Sequence, residues 1–200
     1  HIKPRIVGIS FMTNQFQDAL TVSKVIKKIN VEIPIIVGGP HASALPEEMI
    51  GEDSIDFVVI GEGENTVLEL ANELFRGSND FKKVAGIAFK QNGKVFVTEK
   101  REYIEDLNSL PFPAWHLLPI ERYSVHAAGA NARERVLTIL SSRGCPYQCI
   151  FCDSHTIFGR CFRSRSATNI FEEIVYLKDR YSVKQFDFVD DTFTIDKKRI

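Results

Sequence analysis

Ser142-Arg143-Gly144-Cys145-Pro146-Tyr147-Gln148-Cys149-Ile150-Phe151-Cys152-Asp153 carries three of the chain's four cysteines at C-x3-C-x2-C spacing, directly behind the apolar run Val136-Leu137-Thr138-Ile139-Leu140. A short apolar run of this kind reads as a buried strand, so the cysteines sit on the loop that leaves its carboxyl end. Three thiolates on one short loop can ligate three irons of a cubane iron–sulfur cluster, where four cysteines normally complete the set. The remaining iron is then open to a group that is not protein, and that is where chemistry can occur. Other uses of the thiols have to be weighed. Cys149-x-x-Cys152 can be half of a zinc site with His155 or Cys161 as further ligands, but structural zinc sites usually show two such half-sites and the chain has one. A thioredoxin-like pair would open a helix with no third cysteine beside it. Disulfide pairing suits three crowded thiols poorly. Cys161 reads as a small apolar filler and not as a fourth ligand.

Working outward, the loop is followed by helical periodicity from about Thr168 to Arg180, with Ile170, Phe171, Ile174, Val175 and Leu177 on the expected buried face. A second strand follows, Gln185-Phe186-Asp187-Phe188-Val189. This is a β-loop-α-β order. The strand ends in Asp190-Asp191, either a carboxylate pair able to face a cation or the cap of the next turn. Arg163 and Arg165 could meet a carboxylate or phosphate, but they read more simply as solvated residues ahead of a helix.

Upstream, strands and helices alternate again. Arg5 to Ser10, Ile33 to Val37 and Ile55 to Ile60 are short strands. Phe16 to Ile29 is a helix with Phe16, Ala19, Leu20, Val22, Ile26 and Ile29 on a broad apolar face. Pro46 to Ile50 is a brief helix, and Val67 to Phe75 another. This order implies parallel strands with right-handed crossovers, an open α/β sheet. Val84 to Lys90 and Lys94 to Thr98 flank Gln91-Asn92-Gly93, a hairpin signal. From Arg101 to Tyr123 the periodicity stops. Pro111, Pro113 and Pro119 break it while Phe112, Trp115 and Leu117 recur, which reads as a linker that packs and not as a flexible one. Residues 1–100, 101–134 and 135–200 are therefore expected as sheet with hairpin, connector, and second βα region.

Ligands of open α/β sheets sit outside the carboxyl ends of the strands. Three such ends here carry Ser10-Phe11-Met12-Thr13, Gly38-Gly39 and Gly61-Glu62-Gly63-Glu64. Glycine permits close backbone approach and a serine hydroxyl can donate or accept, although tight βα turns use glycine for structural reasons alone. His41 reads as a polar turn residue more readily than as a metal ligand.

Apolar content of 44% and charged content of 26% are those of an ordinary globular chain. A formal net charge of −1 gives no electrostatic case for nucleic acid or an acidic membrane. No apolar run approaches a membrane span. Free cysteines fit a reducing cytoplasm. The start at His1 and the Lys197-Lys198-Arg199-Ile200 run, which reads as an opening helix, point to a piece of a longer protein.

The loop Ser-Arg-Gly-Cys-Pro-Tyr-x-Cys-x-Phe-Cys after a strand resembles the radical S-adenosylmethionine (SAM) superfamily. That resemblance implies a [4Fe–4S] cluster on Cys145, Cys149 and Cys152. SAM would chelate its open iron and be cleaved reductively to methionine and a 5′-deoxyadenosyl radical, with electrons from an external donor. It implies Phe151 behind the adenine and Asp190 or Asp191 on the SAM amine. The spans from Val7 to Thr13, Val37 to Ala42 and Asp56 to Glu64 resemble the later half of the cobalamin-binding domain that precedes many radical SAM domains. Ser10-x-Met12 and Gly38-Gly39 stand at its S-x-L and G-G signatures, so Ser10, Gly38, Gly39, Gly61 and Gly63 would border the slot for the nucleotide tail. Leu110-Pro111-Phe112-Pro113-Ala114-Trp115 resembles the connector of these two-domain enzymes. The family's upstream D-x-H-x-x-G has no counterpart.

The implied architecture is α/β: a partial Rossmann-like cobalamin-binding sheet, then the start of a radical SAM partial (βα)6 barrel, truncated at both ends. The implied activity is C-methylation of a small molecule through methylcobalamin. Oxidative cyclisation, as in relatives of the anaerobic magnesium-protoporphyrin ester cyclase, is the alternative within the superfamily. A non-catalytic cobalamin or zinc module is the alternative outside it. No catalytic side chain or substrate is named by these residues.

Overall fold

The structure is a computed structural model that describes residues 3–123 and 135–199; the connector residues 124–134 lie outside them. The chain divides into two compact units, one running to Tyr103 and including Asp153–Phe158, the other made of Ile104–Cys152 and Gly159 onward.

The first unit is built in chain order from β1 (Val7–Ser10), α1 (Phe16–Ile29), β2 (Ile35–Gly38), α2 (Pro40–Ala44), α3 (Pro46–Gly51), β3 (Phe57–Val59), α4 (Glu64–Phe75), β4 (Ile87–Gln91) and β5 (Lys94–Val97). Its five strands form one sheet in the order β1-β2-β3-β4-β5. The first three are parallel, with Ser10 opposite Gly38 and Val37 opposite Val58. The hairpin does not stand apart from the sheet: β4 pairs antiparallel with β3, and β5 with β4. Asn92 (φ 53°) and Gly93 (φ 74°) are both left-handed, as the tight turn of a two-residue hairpin requires.

Strands buried on both faces explain the unbroken apolar runs of β2 and β3. One face packs Leu20, Val37, Met49, Ile50 and Val58, and the other packs Ile36, Phe57, Leu70, Ile87 and Phe89. The expected helix Phe16–Ile29 is present, but Ala19, Leu20 and Ser23 are its buried positions, while Val22 and Ile29 are exposed. On α4 the buried side chains are Thr66, Leu70 and Glu73, whereas Val67, Leu68 and Phe75 face outward. The Lys83 ammonium, 2.9 Å from Glu73, holds that carboxyl below its ordinary pKa.

The second unit contains β6 (Val136–Ile139), β7 (Ser142–Arg143), β8 (Arg163–Ser164), α6 (Ala167–Tyr181) and β9 (Gln185–Phe188); α5 (His155–Phe158), between β7 and β8 in sequence, belongs to the first unit. β6 and β9 are parallel, joined by α6, and β7 and β8 form a short antiparallel bridge. Ser166 caps α6 by accepting from the Asn169 amide at 3.1 Å. Leu177 is fully buried, but Phe171 is 65% exposed, contrary to the helical-face reading. The connector packs, as its aromatic residues foretold: Trp115 and Ile120 share a core with Leu137, Leu177 and Val183. Trp115 Nε1 donates to Glu173 Oε1 at 2.9 Å. Lys197 to Arg199 form a turn and not the expected helix, with the Arg199 amide donating to Asp196 O at 3.2 Å.

Among the described residues, no helix is long and apolar enough to cross a membrane.

Candidate functional site

The cysteine loop has a firmly held base. Gly144, at φ +82°, turns the chain out of β7 in a conformation that a side chain would disfavour. On either side of the loop, Ser142 pairs with Ser164 and Arg143 with Arg163. The Cys145 amide donates to Gly159 O at 3.3 Å, and Arg160 Nη1 donates to Tyr147 O at 2.6 Å. The tip is open: Ile150 and Phe151 are almost fully exposed, as are Cys149 and Cys152 to a lesser degree, while Cys145 is half-buried.

None of the four cysteines forms a disulfide. The Cys152 amide closes a turn onto Cys149 O at 3.1 Å. Among the described residues, no three His, Cys, Asp or Glu side chains stand together as a metal-binding set, so the three thiols share a loop without converging. Ligand thiolates are drawn together by the metal they bind, and such loops take their final geometry on binding. The donor set suits an iron–sulfur cluster, with three thiols outside any disulfide on one solvent-facing loop. Cys161 is exposed, which overturns its reading as an apolar filler.

The acid pair divides sharply. Asp190 has a side chain with no solvent exposure. It accepts from the Ser141 amide at 2.7 Å, Ser141 Oγ at 2.5 Å and Ser142 Oγ at 2.6 Å, with Arg199 Nη2 at 3.4 Å. Arg199 also donates to Ser141 O at 3.0 Å and Phe193 O at 3.1 Å. Asp190 therefore ties the end of β9 to the base of the cysteine loop, and its oxygens are committed there. Asp191 is exposed. Beyond the pair, Thr192 Oγ1 lies 3.3 Å from Cys145 Sγ, a contact that sequence reading did not find.

Arg163 and Arg165 are not solvated residues ahead of a helix. Arg163 is buried and donates to Ile104 O at 2.6 Å. Arg165 pairs with the buried Glu173 at 2.6 Å. Both are folding contacts of the second unit.

In the first unit, parallel register brings Ser10 beside Gly38, and the Phe11 amide donates to Gly38 O at 3.2 Å. Gly39 has φ +94°, and a Cβ there would lie 2.7 Å from Phe11 O and 2.9 Å from Ser10 Oγ. Its missing side chain is thus required by the protein's own close approach. Gly38 differs: a Cβ would meet Val59 only at ordinary contact distance, 3.7–3.8 Å. The same holds for Gly63, where the nearest atoms lie at 3.5 and 3.8 Å. The fold itself does not demand glycine at either position, which suits close approach by a ligand at this edge. The Gly61 amide donates to Ser43 Oγ at 3.0 Å, tying the β3 end to α2, and α5 packs on α2. His41 is buried against Phe11 and Phe16, with Nδ1 at 3.1 Å from Thr13 Oγ1. Its Nε2 is closed off from solvent without a hydrogen-bond partner, so this residue is an inward-facing aromatic and not a polar turn residue.

Residues 1–71 match the family model of the B12 binding domain. Over 98% of its length the chain is 39% identical to an uncharacterized methyltransferase of Pyrococcus horikoshii. Over 99% it is 32% identical to the anaerobic magnesium-protoporphyrin IX monomethyl ester cyclase of Rubrivivax gelatinosus. The chain thus resembles a methyltransferase and a cyclase over nearly its whole length, and its first 71 residues match a B12 binding domain. It spans 41% and 35% of the length of those two relatives. The fold matches part of the cobalamin-dependent S-adenosylmethionine radical enzyme OxsB, solved with aqua-cobalamin and S-adenosylmethionine bound, with a TM-score of 0.71 at 23% identity, over 95% of this chain and 26% of that one.

Proposed function

We propose that the chain is part of a radical SAM enzyme that uses a [4Fe–4S] cluster and cobalamin to methylate an unactivated carbon of a small molecule. The observation that carries this reading is the loop of three cysteines outside any disulfide that follows β7, in a chain whose first 71 residues match a B12 binding domain. Cys145, Cys149 and Cys152 would hold the cluster. When bound, the cluster supplies electrons for reductive cleavage of SAM, drawn from an external low-potential donor. Asp191 is the exposed carboxylate at the β9 end and would accept from the SAM amine. Phe151 is free to cover the adenine. Ser10, Gly38, Gly39, Gly61 and Gly63 would border the corrinoid's nucleotide tail, with Gly38 and Gly63 leaving the room for it. We assign residues 1–100 to the cobalamin-binding part, 101–134 to the connector and 135–200 to the opening of the barrel. A reducing cytoplasm suits the exposed thiols.

The second reading is oxidative cyclisation, favoured by the 32% identity to the Rubrivivax gelatinosus cyclase. Both readings require the same cluster. Full-length protein reconstituted anaerobically should take up about four iron and four sulfide per chain. Cys145→Ala, Cys149→Ala or Cys152→Ala should abolish that uptake, and Cys161→Ala should leave it intact. Stoichiometric zinc without iron uptake would overturn both readings in favour of a zinc module.

A further inference from the structure

We propose that Thr192 is a positioning residue whose hydroxyl donates to the Cys145 sulfur and sets the ease with which the cluster is reduced. The inference rests on the cluster reading above. Thr192 follows the acid pair at the end of β9, and its Oγ1 stands 3.3 Å from Cys145 Sγ. Cys145 is the half-buried thiol of the three, while Cys149 and Cys152 are exposed. The hydroxyl thus meets the ligand that the fold holds most firmly.

Both sides of this contact are held by the fold. The Cys145 backbone is fixed through Gly159, and the chain ahead of Thr192 is fixed by Asp190, with its bonds to Ser141 and Ser142. Donor and sulfur are thus set in place together, because Asp190 ties the end of β9 to the base of the loop.

The physical consequence follows from charge. Reduction transfers one electron from the external donor to the cluster, and part of the added negative charge falls on the ligand sulfurs. A hydroxyl proton directed at one sulfur stabilises the reduced form more than the oxidised form, because hydrogen bonds to charged groups are the stronger ones. Hydrogen bonds to the ligand sulfurs are one of the protein's means of setting cluster potential, and outer-shell partners of this kind orient the ligand as well. Removing the hydroxyl should therefore move the midpoint potential to a more negative value. Valine keeps the shape of threonine but has no donor, whereas serine keeps the donor and loses the methyl.

The test is a potentiometric titration of reconstituted full-length protein, following the reduced cluster by electron paramagnetic resonance. At a fixed solution potential, Thr192→Val should lower the reduced-to-oxidised ratio by about three- to tenfold, roughly 30–60 mV for a one-electron couple. Thr192→Ser should stay near the parent. Thr192→Ala, which also lacks the donor, should follow valine and guards against a shape effect. Loss of cluster in valine and alanine with retention in serine would support the same hydroxyl holding Cys145 in place. Equal potentials in parent, serine and valine would overturn the inference while leaving the cluster intact. Failure of the parent itself to take up iron would overturn the cluster reading, and the inference with it.

Discussion

At the end of β9, Asp190 accepts from three donors of Ser141 and Ser142 and faces Arg199, with its side chain wholly removed from solvent. A carboxylate so engaged has no capacity left for an incoming ammonium. Asp191 has that capacity and is exposed. Asp191→Ala should weaken SAM binding by about ten- to a hundredfold, the loss of one charge-assisted hydrogen bond of roughly 1.5–3 kcal/mol, with iron content unchanged. Asp190→Ala should act differently. It leaves buried donors and the Arg199 charge without their acceptor, and breaking a buried pair from one side costs about 3–5 kcal/mol. The variant should melt earlier and load less cluster. Calorimetric titration of SAM together with thermal denaturation of both variants separates the roles. Parent-like SAM affinity in Asp191→Ala would remove Asp191 from the amine site. The sequence showed two adjacent acids and the alternation of a strand, which says that neighbours differ but not which is engaged. That depended on Ser141 and Ser142, nearly fifty residues away, and no local pattern carries it. Cys161 and Arg163 were misread for the same reason, since burial is decided by distant chain.

Among the elements, those with strong local signals were legible. α1 has its expected bounds, and Asn92-Gly93 makes the hairpin turn that such a pair favours. α2 was missed because it is five residues long, too short for periodicity, and its start is marked only by Pro40. The pairing of β4 with β3 was missed because an edge partner is chosen by the whole sheet. The connector shows how an aperiodic segment becomes fixed. Trp115 is buried, and its indole donates to Glu173 on α6, whose other carboxylate oxygen faces Arg165 at 2.6 Å. Glu173→Ala should destabilise the protein by about 3–5 kcal/mol, because it strands both the Arg165 charge and the indole N–H. Arg165→Met alone should be similarly damaging. The double variant Glu173→Ala with Arg165→Met should lose distinctly less than the sum of the single losses, since neither then leaves a buried charge unpaired. Denaturant midpoints of the three variants measure this. Additive losses would mean that the pair contributes nothing as a pair.

For the whole molecule, the proposed function turns on what a cluster and a corrinoid would do together, and the products of SAM report on it. Each unit carries its own core and its own candidate site: the sheet end with Ser10, Gly38 and Gly63 in one, the thiol loop in the other. If the corrinoid serves as a methyl carrier, its methyl group must come from the SAM sulfonium, and loss of that methyl leaves S-adenosylhomocysteine. Radical generation instead breaks the bond to the 5′ carbon and leaves methionine and 5′-deoxyadenosine. A methyltransferase needs both fates of SAM, whereas an oxidative cyclase needs only the second. Full-length protein supplied with cobalamin, SAM and a low-potential reductant should therefore form S-adenosylhomocysteine as well as 5′-deoxyadenosine, measured by chromatography and mass. Cys145→Ala should lose the 5′-deoxyadenosine while keeping bound corrinoid, because its thiol lies on the cysteine loop and not at the sheet end. Formation of 5′-deoxyadenosine without S-adenosylhomocysteine would move the assignment from methyl transfer to cyclisation. The cysteine spacing announces only the radical half of this chemistry, and the sheet-end residues announce only a corrinoid, so the partition of SAM between its two fates is the quantity that joins them.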